Sequence, residues 1–337
     1  METILVLAHV EADGALGKPA LEALTAAKNL GGEVIVGLVG GEAQAAADQI
    51  AGCGATRILA VSGAAFTESR YATDAAAAEA LCRAAGTPIV LAPATARWAR
   101  ALPGVAYRLG GRVDTHATNL AERDGAPAVT RWFYRQRMEA VLTRAERPWI
   151  VLIDSGCFTA WSGAPGTAVV EPVAVEAPAS RTKVIGVQAP KADEQTIRPE
   201  AKLLFVAGAG WTKKQADGAT HSAEAASLIL GFLRAAKASL GGSKSLVDLS
   251  GEGEAVLPFM THLNQIGQTG ATPRHPKGLS TCCHGEEPHV VGWRFVNERR
   301  AINLDANCGW ARGKADVLYV ADAFEVMRRL NGLMGQG

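Results

Sequence analysis

The chain has 337 residues, which at roughly 150 residues per domain indicates about two domains. Its hydrophobic content of 48% and charged content of 20% are typical of a folded globular protein and exclude a disordered chain. With 34 basic and 33 acidic residues the net charge is +1, so no overall field attracts nucleic acid or an acidic membrane.

Signals for membrane insertion and secretion are missing from the sequence pattern. No run of about 18 apolar residues occurs, and the first residues lack the basic start and small-residue cleavage site of a signal peptide. The six cysteines show neither a CxxC motif nor the spacing of a disulfide framework. We therefore expect a soluble, cytoplasmic protein with reduced thiols.

In the first half, apolar runs of strand length alternate with segments of helical pattern. We predict strands at residues 3–9, 34–39, 57–61 and 88–92, and helices at residues 20–27, 42–51, 73–85 and 97–109. Strands that are apolar throughout and alternate with helices indicate a parallel sheet covered on both faces. Three later runs, at residues 129–134, 138–142 and 149–153, have the pattern of hairpins or edge strands.

The middle of the chain divides it into two domains. Residues 163–200 are rich in proline and show no helical pattern, so we predict a linker there, with an edge strand at residues 182–187. An N-terminal domain then covers residues 1–162 and a C-terminal domain covers residues 201–337. The predicted fold class is α/β with two domains.

The second half opens with a strand at residues 202–206, followed by Gly208-Ala209-Gly210 and a helix at residues 222–238. A strand, a glycine-rich turn and a helix in this order can present backbone N–H groups to a phosphate. A tight turn without a ligand explains the same residues equally well. Residues 316–320 and 323–333 are predicted to form the last strand and the closing helix.

Several short segments carry a family resemblance. Residues 265–270 read QIGQTG, residues 240–248 read LGGSKSLVD, residues 301–305 read AINLD, residues 320–326 read VADAFEV and residues 23–34 read ALTAAKNLGGEV. His289 stands nineteen residues after Gly270. These segments and this spacing resemble the QVGQTG, LGASRAAVD, AINKD, VADLFEV and ALTAARQLGGEV segments, and the motif histidine, of electron-transfer flavoprotein alpha subunits, the FixB family.

The resemblance implies a divergent alpha subunit that forms a heterodimer with a beta subunit. Residues 201–337 would be the FAD-binding, Rossmann-like domain, and residues 1–162 would pack on the beta subunit. Such a protein carries electrons and has no substrate chemistry of its own. It takes electrons from a dedicated flavin dehydrogenase, with an amine-demethylating enzyme as one candidate, and passes them to a membrane or iron–sulfur respiratory acceptor.

The resemblance also assigns roles to individual residues. It places the Thr269 hydroxyl near the flavin N5 and His289 near O2, where a donor stabilises the negative charge of the reduced ring. Lys244 replaces an arginine that lies over the flavin, which keeps the charge but loses planar stacking. The full predicted cofactor-binding set is Ser243, Lys244, Gln265, Gly267, Gln268, Thr269, Gly270, His284, His289, Asn303, Asp305 and Asp322.

The sequence departs from the family pattern at the phosphate end of the predicted site. Gly210 stands where an arginine is expected, His284 replaces a serine, and Glu286 and Glu287 enter a segment that would face a diphosphate; their charges would repel it. One alternative is therefore an alpha-like structural subunit without FAD that organises a dehydrogenase complex. A flavin dehydrogenase acting alone is a weaker alternative, because no substrate acid or base stands near the motif.

Two further hypotheses concern single clusters. The segment Cys282-Cys283-His284, with Cys308, His275 and His289, could supply ligands to a metal or an iron–sulfur cluster. Adjacent cysteines point apart and no CxxC motif anchors them, so buried free cysteines are the favoured interpretation. Trp211, beside the glycine-rich turn, could cover the cofactor or fill the core.

Overall fold

The computed structural model describes residues 2–133, 138–179, 181–186, 197–198, 200–243, 246, 256–266, 272–281, 295–308, 311–312 and 315–335. The chain divides into two compact units, Met1–Val187 and Gln188–Gly337. This boundary falls inside the predicted linker, residues 163–200. None of the helices within the described ranges combines the length and the apolar character that crossing a membrane requires.

Strands of the first unit form one mixed sheet. The described strands are β1 (Ile4–His9), β2 (Val34–Gly40), β3 (Arg57–Ser62), β4 (Ile89–Pro93), β5 (Arg112–Arg123), β6 (Ala126–Phe133), β7 (Met138–Leu142), β8 (Trp149–Ile153) and β9 (Val170–Pro172). Their spatial order is β7-β6-β5-β8-β4-β1-β2-β3-β9. Among the described strands, β6 alone pairs antiparallel, with β5 and β7; the other neighbours are parallel. The predicted parallel α/β sheet is confirmed.

Helices cover both faces of this sheet. They are α1 (Lys18–Leu30), α2 (Gln44–Gln49), α3 (Tyr71–Ala85) and α4 (Ala96–Arg108). Successive residues of a strand point to opposite faces. Ile4 and Val6 of β1 accordingly join one buried cluster with residues of α1, whereas Leu5 and Leu7 join the other with residues of α3 and α4. This explains why β1 is apolar at every position before His9.

The prediction that residues 149–153 form a hairpin or edge strand was wrong. These residues form β8, whose five residues are all buried between β5 and β4, parallel to both. The preceding long strand β5 was not predicted, because its polar residues alternate with small and apolar ones. Because β5 was not predicted, β8 was expected to have no neighbouring strand on the side opposite β4. The hairpin expected farther upstream is present as the antiparallel pair β6–β7.

A buried carboxylate connects these outer strands to the sheet. Asp114 of β5 is 2% exposed and accepts hydrogen bonds from Arg131 Nη1 at 2.9 Å, Arg144 Nη2 at 3.0 Å and Trp149 Nε1 at 2.9 Å. Burial alone would raise the pKa of Asp114, but the hydrogen bonds from Arg144 and Trp149 hold this pKa below its usual value. One ionised side chain thus holds β5, β6, β8 and the segment after β7 together.

The edge strand lies elsewhere than predicted. Residues 182–186, the described part of the predicted range 182–187, are not in a strand. Instead β9 pairs in parallel with β3, and the Arg57 guanidinium of β3 contacts the Glu171 carboxylate of β9 at 2.7 Å. The proline-rich segment therefore contributes one short strand, β9, to the edge of the sheet.

The second unit contains a separate parallel sheet. Its described strands are β10 (Leu203–Ala207), β11 (Ser239–Gly242), β12 (His275–Thr281), β13 (Val296–Asn303) and β14 (Val317–Val320), and its described α-helices are α5 (Ser222–Ala236) and α6 (Ala323–Met334). The strand order is β11-β10-β12-β13-β14, with every pair parallel. Phe205, Phe232 and Phe324 pack in the core between the sheet and these helices. The prediction of two α/β domains is therefore confirmed.

Candidate functional site

The described members of the predicted cofactor set lie where strands of the second sheet end. Ser243 directly follows β11, Asn303 ends β13, Asp305 comes two residues later, and Asp322 follows β14 after Ala321. Because all five strands are parallel, these residues share the carboxyl edge of the sheet. Ligands of open α/β sheets bind at this edge.

Gln265 reaches the same edge through close packing against β11. A Cβ added to Gly241 would lie 2.5 Å from Ile266 Cδ1, and one added to Gly242 would lie 2.3 Å from Met260 Cε. The two glycines therefore let the segment 256–266 lie directly on the strand. Gln265 then forms a parallel bridge with Gly242, and its buried Oε1 has no hydrogen-bond partner within the described residues.

Ser243 is tied into the strand ends. Its backbone N–H donates to the Ala207 carbonyl of β10 at 3.0 Å. Its hydroxyl accepts from the Leu246 N–H at 3.3 Å, which leaves the hydroxyl proton to donate elsewhere. Ser243 is therefore held in place by its backbone and keeps a donor available at the edge of the sheet.

The side-chain amide of Asn303 has a fixed orientation. The side-chain Oδ1 accepts from the Asp305 N–H at 3.1 Å. The backbone carbonyl of Asn303 accepts from the Ala321 N–H at 3.1 Å, next to β14. Asn303 is 4% exposed, and its Nδ2 is buried without a hydrogen-bond partner in the described part of the chain. A buried N–H without a partner costs about 1–3 kcal/mol, so this position suits the acceptor of a ligand.

Asp305 and Asp322 both carry out local structural roles at the edge. The Asp305 Oδ1 accepts from the Asn307 N–H at 2.8 Å and closes the turn after β13. Asp322 is the N-cap of α6, and its Oδ1 accepts from the Glu325 N–H at 2.9 Å. An N-cap carboxylate is favourable at the positive end of a helix. Neither role by itself indicates a ligand.

The strand, the glycine-rich turn and the helix predicted after residue 201 are present in that order, and α5 begins at Ser222 as predicted. Between β10 and α5, Ala209–Thr212 forms a buried 3-10 turn. Trp211 is fully buried and packs on Phe324 with a ring-centroid distance of 4.6 Å. Of the two interpretations of Trp211, the structure supports the core residue.

The remaining predicted cofactor residues lie outside the described residues. They are Lys244, Gly267, Gln268, Thr269, Gly270, His284 and His289. The same holds for Glu286 and Glu287, which would repel a diphosphate, and for Cys282 and Cys283 of the metal hypothesis. Their assignments stay predictions.

Two of the candidate metal ligands, Cys308 and His275, lie within the described residues. Cys308 is buried. His275 is fully buried at the start of β12, with Nδ1 2.9 Å from the Pro273 carbonyl oxygen and Nε2 2.9 Å from that of Arg198. Among the residues that the structure describes, no cluster of three or more His, Cys, Asp or Glu side chains could hold a metal ion.

A polar cluster at the carboxyl edge of the first sheet was not predicted. His9 ends β1, and its Nε2 lies 3.1 Å from Glu11 Oε1. The His9 ring meets Trp98 edge-on at 6.1 Å. Nearby, the buried Arg97 Nη2 contacts Asp74 Oδ1 at 2.8 Å. These residues come from three separate elements, so no local motif could have revealed the cluster.

Fold and site define a two-unit α/β protein whose second, parallel sheet carries, at its carboxyl edge, polar groups without a hydrogen-bond partner among the described residues. The electron transfer flavoprotein domain model matches residues 4–191, which is more than half of the chain, and the chain belongs to this family. It is also similar to the electron transfer flavoprotein subunit alpha of Pseudomonas aeruginosa, with 25% identity over 331 residues that cover 97% of this chain and 98% of that protein.

Proposed function

We propose that this chain is the alpha subunit of a heterodimeric electron-transfer flavoprotein that carries electrons on FAD. The observation that carries this proposal is the match to an electron transfer flavoprotein alpha subunit along 97% of the chain. Because the similarity covers both units, it supports an alpha subunit and not merely an N-terminal domain shared with other proteins. The protein is then a carrier and not a catalyst with its own substrate.

The described edge of the second sheet fits a polar cofactor. It presents the Gln265 Oε1 acceptor and the Asn303 Nδ2 donor, both buried and without partners in the described ranges. Buried polar groups are nearly always hydrogen-bonded. A dinucleotide offers both acceptors and donors along its length, so it could satisfy both groups. The Ser243 hydroxyl adds a third polar contact from the end of β11.

FAD, when bound, would accept and release electrons through its isoalloxazine ring. In our proposal the Thr269 hydroxyl contacts this ring, and the Lys244 ammonium lies over it. The Gln268 amide contacts the ring edge or the diphosphate. The His289 imidazole donates a hydrogen bond at the pyrimidine end and favours the reduced, more negative ring. Asn303 and Asp322 hold the adenosine half.

A beta subunit is the proposed partner, packed on residues 1–162. A dedicated flavin dehydrogenase would supply the electrons, and a membrane or iron–sulfur protein would accept them. We place the complex in the cytoplasm. The changes at Gly210, Glu286 and Glu287 support a second candidate, a subunit that organises a dehydrogenase complex without FAD.

The absorption spectrum of the chain co-purified with its beta partner separates these candidates. We expect flavin bands that bleach on anaerobic reduction. A complex that is colourless, and stays so after incubation with FAD, would contradict the carrier and support the structural subunit. Bands that disappear on removal of iron would instead indicate metal ligation by the cysteines.

A variant pair then tests the assigned ring contact. His289→Ala is expected to lower the flavin midpoint potential in a potentiometric titration, because a donor to the reduced ring is lost. His116→Asn, in the first unit, serves as the control and is expected to leave the potential unchanged. Equal potentials in all three proteins would remove His289 from the site.

A further inference from the structure

The order of strands in the second sheet reverses direction between the neighbouring strands β10 and β12. From β10 the chain passes through α5 to β11 on one side, whereas β12 pairs with the other side of β10 and is followed by β13. Such a switch point leaves a crevice at the carboxyl ends of the two strands, and ligands commonly bind in it. The described groups nearest this position are those at the ends of β10 and β12.

In this chain the described polar groups at the switch point satisfy one another. The Trp211 indole N–H donates to Thr281 Oγ1 at 2.8 Å. The Thr281 hydroxyl donates in turn to the Val206 carbonyl at 3.3 Å, and the Gly208 N–H donates to the Thr281 carbonyl at 2.9 Å. A hydroxyl has one proton, so Thr281 has none left for a phosphate oxygen.

Three donors of the turn are also used internally. The Trp211 N–H donates to the Gly208 carbonyl at 3.3 Å, and the Lys213 N–H donates to the Gly210 carbonyl at 3.3 Å. The Thr212 hydroxyl donates to the Ala209 carbonyl at 3.1 Å. A phosphate-binding turn instead directs such donors towards the ligand.

The indole occupies the space beside these groups. Trp211 is 0% exposed, and its ring packs on Phe324 at the start of α6 with an interplanar angle of 55°. A buried Trp ring is held by its whole apolar surface, and here its one polar atom is bound as well. The side chain is therefore fixed at the switch point.

We propose that Trp211 is a specificity-determining residue: it closes the crevice between the ends of β10 and β12, so that the phosphates of a bound dinucleotide lie away from this turn. The inference rests on the proposed binding of FAD. The Trp211–Thr281 pair takes the contacts that a phosphate would otherwise make.

The test uses the complex with the beta subunit, labelled with 5-fluorotryptophan, with Trp211→Phe used to assign the fluorine resonance of Trp211. We expect FAD to leave this resonance in place. Thr281→Val is expected to lower the thermal midpoint and to change the FAD dissociation constant by less than about twofold, since no hydrogen bond to the ligand is lost. Thr212→Val, which removes another buried hydroxyl of the same region, calibrates the effect on stability.

A shift of the Trp211 resonance on addition of FAD would overturn the proposal. So would a rise of about tenfold or more in the dissociation constant of Thr281→Val, which corresponds to one lost hydrogen bond to the ligand. A wild-type complex that binds no FAD contradicts the proposed function instead. In that case titration with inorganic pyrophosphate tests the closure alone: an unchanged Trp211 resonance supports it, and a shift refutes it.

Discussion

The backbone N–H of Asp305 donates to Oδ1 of Asn303 over 3.1 Å, and this contact determines which end of the Asn303 amide remains unsatisfied. Since the oxygen is taken, the nitrogen is the group left buried without a partner in the described part of the chain. The end of β13 therefore presents a hydrogen-bond donor. An electron-rich group of a ligand, such as a ring nitrogen or a phosphate oxygen, suits it.

The variant Asn303→Asp tests this donor. The carboxylate still accepts from the Asp305 N–H, so the turn is kept, but the donor is replaced by a charged acceptor. We expect the FAD dissociation constant of the complex with the beta subunit to rise about tenfold or more, since one hydrogen bond is lost and charge repulsion is added. Quenching of flavin fluorescence on binding gives the measurement.

Asn307→Asp is the matched control for that experiment. Asn307 is exposed in the same loop, and its Oδ1 accepts from the Arg312 guanidinium, a contact that a carboxylate preserves. The control adds the same charge close by without removing a buried donor. Equal affinity of the two variants for FAD would show that the Asn303 nitrogen does not contact the cofactor.

Local pattern was sufficient for the apolar strands of both units and for their helices. Strands β1 and β2 are continuous apolar runs, and their ends were predicted to within one residue. Strands β12 and β13 read HPKGLST and VNERRAIN; they were not predicted, because exposed and charged residues interrupt any apolar run. A strand held by its neighbours in a sheet needs no such run.

Part of the candidate site could also be predicted from short local motifs. Family motifs selected Asn303 and Asp322, but only the strand before Asp322 was predicted; the structure brings the ends of β13 and β14 to one edge. The hydrogen bond between Trp211 and Thr281 joins residues 70 positions apart. Thr281 lies in β12, a strand that was not predicted. Contacts of this kind depend on tertiary packing, which periodicity and spacing do not encode.

Removal of the buried Asp114 carboxylate is expected to destabilise the first unit. In Asp114→Asn the guanidinium groups of Arg131 and Arg144 lose their counter-charge, which we expect to cost about 2 kcal/mol; this is less than for a fully buried pair, since the Arg144 side chain is 33% exposed. Urea unfolding at neutral pH measures it. Glu171→Gln, which breaks an exposed pair with Arg57, is the control and should shift the midpoint far less.

The effect of Asp114 should also depend on pH. Hydrogen bonds from Arg144 and Trp149 outweigh the opposing effect of burial and depress the pKa of Asp114. Its stabilisation is therefore present above the unfolded-state pKa of about 4 and is lost as the pH falls through the lower folded-state value. We expect the stabilities of wild type and Asp114→Asn to converge in acid. A gap that stays constant down to about pH 2 would contradict this assignment.

Burial makes the Cys82 thiol unreactive in the folded chain. Desolvation on α3 raises the pKa of Cys82 to about 12, so almost none of it is thiolate at neutral pH. We expect alkylation by iodoacetamide to be at least about tenfold slower at Cys82 than at the half-buried Cys157, and to become equal in urea. Peptide mass mapping measures both sites in one sample. Equal rates in the folded protein would show that α3 opens readily.

Two histidines of the first unit should affect stability in opposite directions as the pH changes. Burial lowers the pKa of His9, with Arg97 acting in the same sense and Glu11 and Asp74 opposing. A depressed histidine pKa means that the unfolded chain binds more protons below about pH 6.5. The contribution of His9 to stability is thus present at high pH and lost as the pH falls.

The contribution of His116 to stability changes with pH in the opposite direction. Its Nδ1 lies 3.2 Å from Asp154 Oδ1, and this hydrogen bond raises the pKa of His116 although burial opposes it. Its contribution is complete below about pH 6.5 and is lost as the pH rises through the folded-state value. Asn is the suitable replacement, because His116 has φ +58° and Asn tolerates the left-handed region.

Denaturant unfolding at about pH 5.5 and about pH 8, on either side of the histidine pKa, measures both effects. Relative to wild type, His9→Gln should gain less stability on going from the lower to the higher pH, whereas His116→Asn should gain more. The opposite signs exclude a general effect of removing a histidine. Shifts of the same sign in both variants would show that Asp154 does not hold the His116 proton or that His9 is solvated.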